Sequence, residues 1–143
     1  MKREILQEPD PRLAEVARPA ELGDPHLLLV TQDLYDTLGK DLGLAAPQIG
    51  APLRVIIARI PGITLCVNPS WEKAGAKRPG EEKCLSVVGG GAFRIFRHIA
   101  IEATWSTLDG SKRTARLVGR DAIVFQHECD HLDGITINRK WAK

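Results

Sequence analysis

The chain has no apolar run long enough to cross a membrane. It also has no signal-peptide core, because the short apolar patch of its first residues is broken by Glu8, Pro9, Asp10 and Pro11. Expectation therefore places it in the cytoplasm with no membrane partner. Nor is there an excess of one charge: 20 Lys and Arg face 18 Asp and Glu, a formal +2, which gives no electrostatic case for nucleic acid. Disulfide pairing is excluded as a framework by three cysteines at unrelated spacings, Cys66, Cys84 and Cys129, an odd count that suits a reducing compartment. Repeats, low-complexity tracts and linkers are absent as well, so 143 residues are read as one domain, 1–143, acting as a monomer.

What is present alternates between helical and strand-like patterns. Asp24 and Pro25 open a helix that Gly39 ends, with Leu27, Val30, Leu34 and Leu38 along one face. Strand-like pieces follow: "LRVIIARI", "ITLCVNP", "IAIEATWSTL" and, beyond the Asp109-Gly110 turn, "KRTARLV". A second helix is expected from about Arg120 to Leu132, capped by Gly134. Its unbroken apolar run, Ala122 to Phe125, implies that protein surrounds it. The fold class is then α+β, with antiparallel sheets packed around a buried central helix.

That second helix carries "QHECDH". Four residues advance a helix by about 400° and roughly 6 Å, so His127 and His131 project from one face and can reach one metal. Glu128 lies one residue round, where a carboxylate can take a proton from a metal-activated water and return it to a leaving group, the logic of HExxH hydrolases. The plainer alternative is two core histidines that merely find hydrogen bonds. A third ligand decides between them, and the 12 residues after His131 offer only Asp133. Upstream stand His26, His98, Cys66, Cys84 and several carboxylates. Cys66, alternating with apolar neighbours, reads as core packing. Cys129 lies about 200° round the helix from each histidine and reads as core too. Cys84, amid the charges of "EEKCLSV" and at the start of an expected strand, is the choice.

With that choice the chain resembles the peptide deformylase family in three motifs in order: "LGLAAPQIG", "EEKCLS" and "QHECDHLDG"; the opening "EILQEPDPRL" is similar too. The resemblance covers almost the whole chain and implies an enzyme that hydrolyses the N-formyl group from the N-terminal methionine of new polypeptides, releasing formate. It implies Cys84, His127 and His131 as ligands of one divalent metal, with ferrous iron the expected native ion and zinc, nickel or cobalt as alternatives. Glu128 becomes the catalytic acid and base, and Gln48 with the Leu85 N–H the stabilisers of the oxyanion. Gly43 would leave room for the substrate backbone, while Leu42, Ile123 and Val124 would line the pocket for the methionine side chain. The partner is an N-formyl-Met peptide, with the ribosome a candidate meeting place.

Three departures mark a divergent, short member without a long C-terminal helix. Asp41 and Lys83 stand where the family has glycine, and "VVGGGAFRIFR" replaces the usual loop, with Arg94 or Arg97 in reach of Glu82. A hydrolase of the same fold acting on another formylated or acylated amine, and a weakly active module that binds metal and peptide, are the competing expectations.

Overall fold

A computed structural model describes residues 1–89 and 91–141; Gly90, in the middle of the glycine-rich loop, and the last two residues, where a C-terminal helix would begin to lengthen, lie outside the described residues. The first helix, α1 (Pro25–Leu38), begins as its sequence dictates: the Asp24 carboxylate accepts the N–H of His26 at 2.9 Å and Pro25 occupies the first turn. Gly39, at φ +59°, ends it. Its Leu27, Val30, Leu34 and Leu38 are buried, whereas Leu28 and Leu29 on the other side are exposed.

Among the described residues seven strands follow: β1 (Gly43–Ala45), β2 (Val55–Ile60), β3 (Ile63–Lys73), β4 (Lys77–Glu82), β5 (Phe93–His98), β6 (Ala100–Ser106) and β7 (Lys112–Val118). β1, β2, β3, β6 and β7 form, in that order, one sheet with every pairing antiparallel, and β4 and β5 form a second antiparallel pair. β2 explains the layering. Its Val55 and Ile57 join the core under α1, while Ile56, Ala58 and Ile60 join a second core with Phe125, Cys129 and Leu132 on the opposite face. Strand side chains alternate, so a strand covered by helices on both faces must be apolar throughout, and "VIIA" is.

The second helix, α2 (Gly119–Leu132), buries Ala122, Phe125, Gln126, Glu128, Cys129, His131 and Leu132 and packs against β1, β2, β5 and β7. It ends where Gly134 takes φ +73° and the Ile135 N–H closes on the Asp130 carbonyl at 2.9 Å. A short helix, α3 (Ile137–Trp141), follows.

Besides β1 and β5, which no expected strand covers and the second of which the sequence reads as loop, four details differ from the sequence expectation. β3 runs on through Pro69 to Lys73, which is feasible because the β3–β6 register shifts between Val67 and Ser70, so the missing donor of proline falls where the ladder is interrupted. β4, "KRPGEE", was not foreseen: it is polar, contains Pro and Gly, and has no alternation to reveal it. Cys84 consequently follows a strand and does not start one. Finally, α2 is not enclosed all round, since Ile123 and Val124 are only half-buried and border a cavity.

Candidate active site

The cavity, about 530 Å³, lies between β1, the end of β4 and the exposed side of α2. Its walls include Leu42, Gly43, Ile123 and Val124, and deeper in stand Gln48, Cys84, Leu85, His127 and Glu128. At the rim are Asp41, Glu81, Lys83 and Arg120. All the residues singled out in the three motifs, except the deeply buried His131, thus border one space, and His131 lies directly behind it.

Three donor atoms, one each from Cys84, His127 and His131, fall within 4.8 Å of one another. Cys84 Sγ is 3.4 Å from His131 Nε2, and the two imidazole rings stand 5.1 Å apart, edge toward face. The helical period accounts for the two histidines; Cys84 reaches them because β4 delivers Glu82 against His127. The Glu82 carboxylate accepts from His127 Nδ1 at 2.8 Å, which leaves Nε2 of that ring turned to the donor cluster. Cys66 and Cys129 are buried in the core away from this cluster.

Arg97 organises the next layer. It is 4% exposed and forks onto Glu82 at 2.8 and 2.9 Å, while its third contact donates to Asp130 at 2.5 Å. Lys140 of α3 reaches the same Asp130 oxygen at 3.2 Å. Of the two arginines near Glu82 in sequence, Arg97 is the partner, whereas Arg94 sits over the Phe96 ring at 5.7 Å. Glu82 as the support of His127, and Asp130 as the second anchor of Arg97, were missed by sequence reasoning. Only the position of Asp130 on the same helix, three residues past His127, could have hinted at either.

Electrostatics follow from this packing. Burial opposes a charged His127, but hydrogen bonds to Cys84 and Glu82 hold its pKa up, to about 10. His131 moves the other way, lowered by burial and by repulsion from His127 and Arg97. Glu82 keeps its charge despite burial, since His127 and Arg97 bring it down to about 2. Glu128 has no such partner and burial pushes it up to about 7, a range suited to exchanging protons at neutral pH. Glu128 Oε1 and His131 Nδ1 are buried without a protein hydrogen-bond partner.

Gln48 is 2% exposed and clamped from both ends. Its Oε1 accepts from Ala45 N–H at 2.9 Å, and its Nε2 donates to Ser86 Oγ at 3.1 Å while lying 3.8 Å from Cys84 Sγ. The N-terminal segment straps this region down: Leu6 N–H donates to the Gln48 carbonyl, Glu8 N–H to that of Ser86 and Gln7 Nε2 to that of Leu85, at 2.7–2.8 Å.

One sulfur and two imidazole donors fit a borderline-soft divalent cation, and three protein donors beside a cavity leave a coordination position free. A buried carboxylate with an unpartnered oxygen next to such a triangle is the arrangement of a mononuclear metallohydrolase centre. Comparison with known proteins narrows the class to a family. The model of the family described as polypeptide deformylase matches residues 2–143. A peptide deformylase of Thermomicrobium roseum is 37% identical over 146 residues, covering 93% of this chain and 82% of that protein. The peptide deformylase of Thermotoga maritima superposes with a TM-score of 0.89 at 29% identity, over 98% of this chain and 97% of its own. A class I type b deformylase of Acinetobacter baumannii, solved with Met-Ala-Ser bound, gives 0.87 at 27% identity over 96% and 98%. The chain belongs to the polypeptide deformylase family.

Arg97 supplies the test of this geometry. Arg97→Met removes the only cation that the described residues place on Glu82 other than His127 itself, leaving a buried carboxylate short of partners. Such losses run to about 3–5 kcal/mol, so urea unfolding of the variant should show a midpoint well below that of the parent. An unchanged midpoint would show that the network is dispensable.

Proposed function

We propose that this chain is a metal-dependent hydrolase that removes the N-formyl group from the N-terminal methionine of newly made polypeptides, acting as a single domain and a monomer in the cytoplasm on chains met at the ribosome. The observation that carries the proposal is the coincidence, at one cavity, of the Cys84, His127 and His131 donors with an unpaired buried carboxylate at Glu128. Ferrous iron is the expected native ion, with zinc or nickel able to replace it, because one thiolate and two imidazoles accept all three.

Cys84, His127 and His131 would hold the ion, and Glu82 would keep the His127 ring turned toward it. A divalent cation held there would supply the Lewis acidity that activates a water and polarises the formyl oxygen. Leu42, Gly43, Ile123 and Val124 form apolar walls that suit an unbranched thioether side chain. Glu128 accepts the proton of the attacking water as its oxygen bonds to the formyl carbon. The negative charge gathering on the formyl oxygen is met by the N–H of Leu85 and by Gln48 Nε2, whose long contact to Cys84 leaves a proton on that side to offer. Glu128 then delivers its proton to the amine nitrogen as the carbon–nitrogen bond breaks, and formate and a free N-terminus result. The Met-Ala-Ser bound to the Acinetobacter baumannii deformylase, a peptide that begins with methionine, agrees with this choice of substrate.

Formate release from a formyl-Met peptide, measured for protein purified without oxygen, tests the reading. Glu128→Ala should keep its metal yet lose about 10²- to 10⁴-fold in turnover. A loss of only a few-fold would take Glu128 out of the reaction.

A second reading, the same chemistry on a different formylated or acylated amine, is favoured by one observation: exposed Lys83 stands at the rim, directly before Cys84. If its ammonium faces the substrate, peptides with acidic residues after formyl-Met should be cleaved faster, and added salt should erase the preference, since exposed charges are screened within about 10 Å at 0.1 M. Lys83→Gly should flatten the preference and leave metal content alone. Equal ranking of acidic and neutral peptides by both proteins would reduce Lys83 to a solvated edge. A module that only binds metal and peptide has no need of Glu128, and nothing in the cavity favours it.

A further inference from the structure

Glycine at position 43 has no backbone reason. It pairs with Ala58 in an unbroken antiparallel ladder and is not among the glycines with positive φ, so any residue could adopt its conformation. The obstacle to a side chain lies across the cavity. A Cβ on Gly43 would stand 2.6 Å from Glu128 Oε2 and 3.0 Å from both Glu128 Cδ and Cγ. Contacts that short require one partner to move, and what would give is the Glu128 side chain, whose Cγ and Cδ as well as Oε2 are struck and which would swing away into the cavity it borders. No protein group bonds to Oε1. Among protein contacts it is packing that places this carboxylate, and Gly43 forms the facing wall.

We infer that Gly43 is a positioning residue whose missing side chain is the mould for the Glu128 carboxylate, fixing the rotamer in which that group meets water and amine. The inference rests on the reading of Glu128 as acid and base. It differs from a role for Gly43 in admitting the substrate backbone, as the family resemblance suggested, in what a Cβ would disturb. A lost backbone contact raises KM for every substrate whatever residue 128 is. A displaced carboxylate lowers kcat, and does so only while there is a carboxylate to displace.

The test is a cycle of four metal-loaded proteins: the parent, Gly43→Ala, Glu128→Ala and the double variant, each measured for metal content, Tm, and kcat and KM on a formyl-Met peptide. Gly43→Ala should keep its metal, melt several degrees lower and lose about 10²-fold in kcat with little change in KM, as a catalytic group misplaced by about 1 Å does. In the Glu128→Ala background the same substitution should lower neither Tm nor rate further, since the atoms it struck are gone. If Gly43→Ala alone does not fold, a double variant that folds like Glu128→Ala upholds the mould, and one that also fails overturns it. Losses in Tm that add across the cycle, or a rise in KM that persists without Glu128, overturn it as well. Should Glu128→Ala prove fully active, the acid-base reading falls, while the Tm cycle still decides whether residues 43 and 128 compete for one space.

Discussion

The bond between His127 and Glu82 is the contact on which the rest of the site depends. It joins the last residue of β4 to the middle of α2, and because Cys84 is two residues beyond Glu82, the same bond draws the thiol to His131. A buried carboxylate cannot be placed there without compensation. Arg97 provides it, forking onto Glu82 and reaching on to Asp130, one turn along from His127 on α2. Buried ion pairs of this kind contribute little net stability over an apolar core, but removing one partner is costly. Their value here is geometric: β4, β5 and α2 can meet in one register only.

A second constraint comes from the start of the chain. Leu6, Gln7 and Glu8 bond across Gln48 and the Leu85–Ser86 turn, so a segment with few apolar residues holds two parts of the cavity floor in place. Glu8 also pairs with Arg139 of α3 at 2.7 Å, while Lys140 of the same helix touches Asp130. Both ends of the described chain are thus tied to the network behind the donors. The cavity itself is walled by Gly43, Leu42 and the half-buried Ile123 and Val124.

Period and caps made the helices legible. Asp24, Pro25 and Gly39 mark α1 to the residue, and the i, i+4 spacing of His127 and His131 alone implied a shared face. The apolar strands were legible from their composition, and β7, whose side chains are mostly exposed, from the Asp109-Gly110 turn before it. β4 was not, since a strand whose side chains are mostly exposed carries no alternation, and its position was what decided how Cys84 is presented. An arginine on Glu82 was foreseen, but not which one, nor that Glu82 supports His127 and Asp130 holds Arg97, because these contacts depend on the pairing of β4 with β5 and its packing on α2. Gly43 was noticed for the room it would leave a substrate; that its missing Cβ also faces Glu128 is visible only in the packing.

Whether Cys84, His127 and His131 share one divalent ion can be read from X-ray absorption at the metal edge of zinc-loaded protein. One sulfur at about 2.3 Å and two imidazole nitrogens at about 2.0–2.1 Å are expected, with a fourth light atom from solvent. A first shell without sulfur, or with two, would contradict a shared ion.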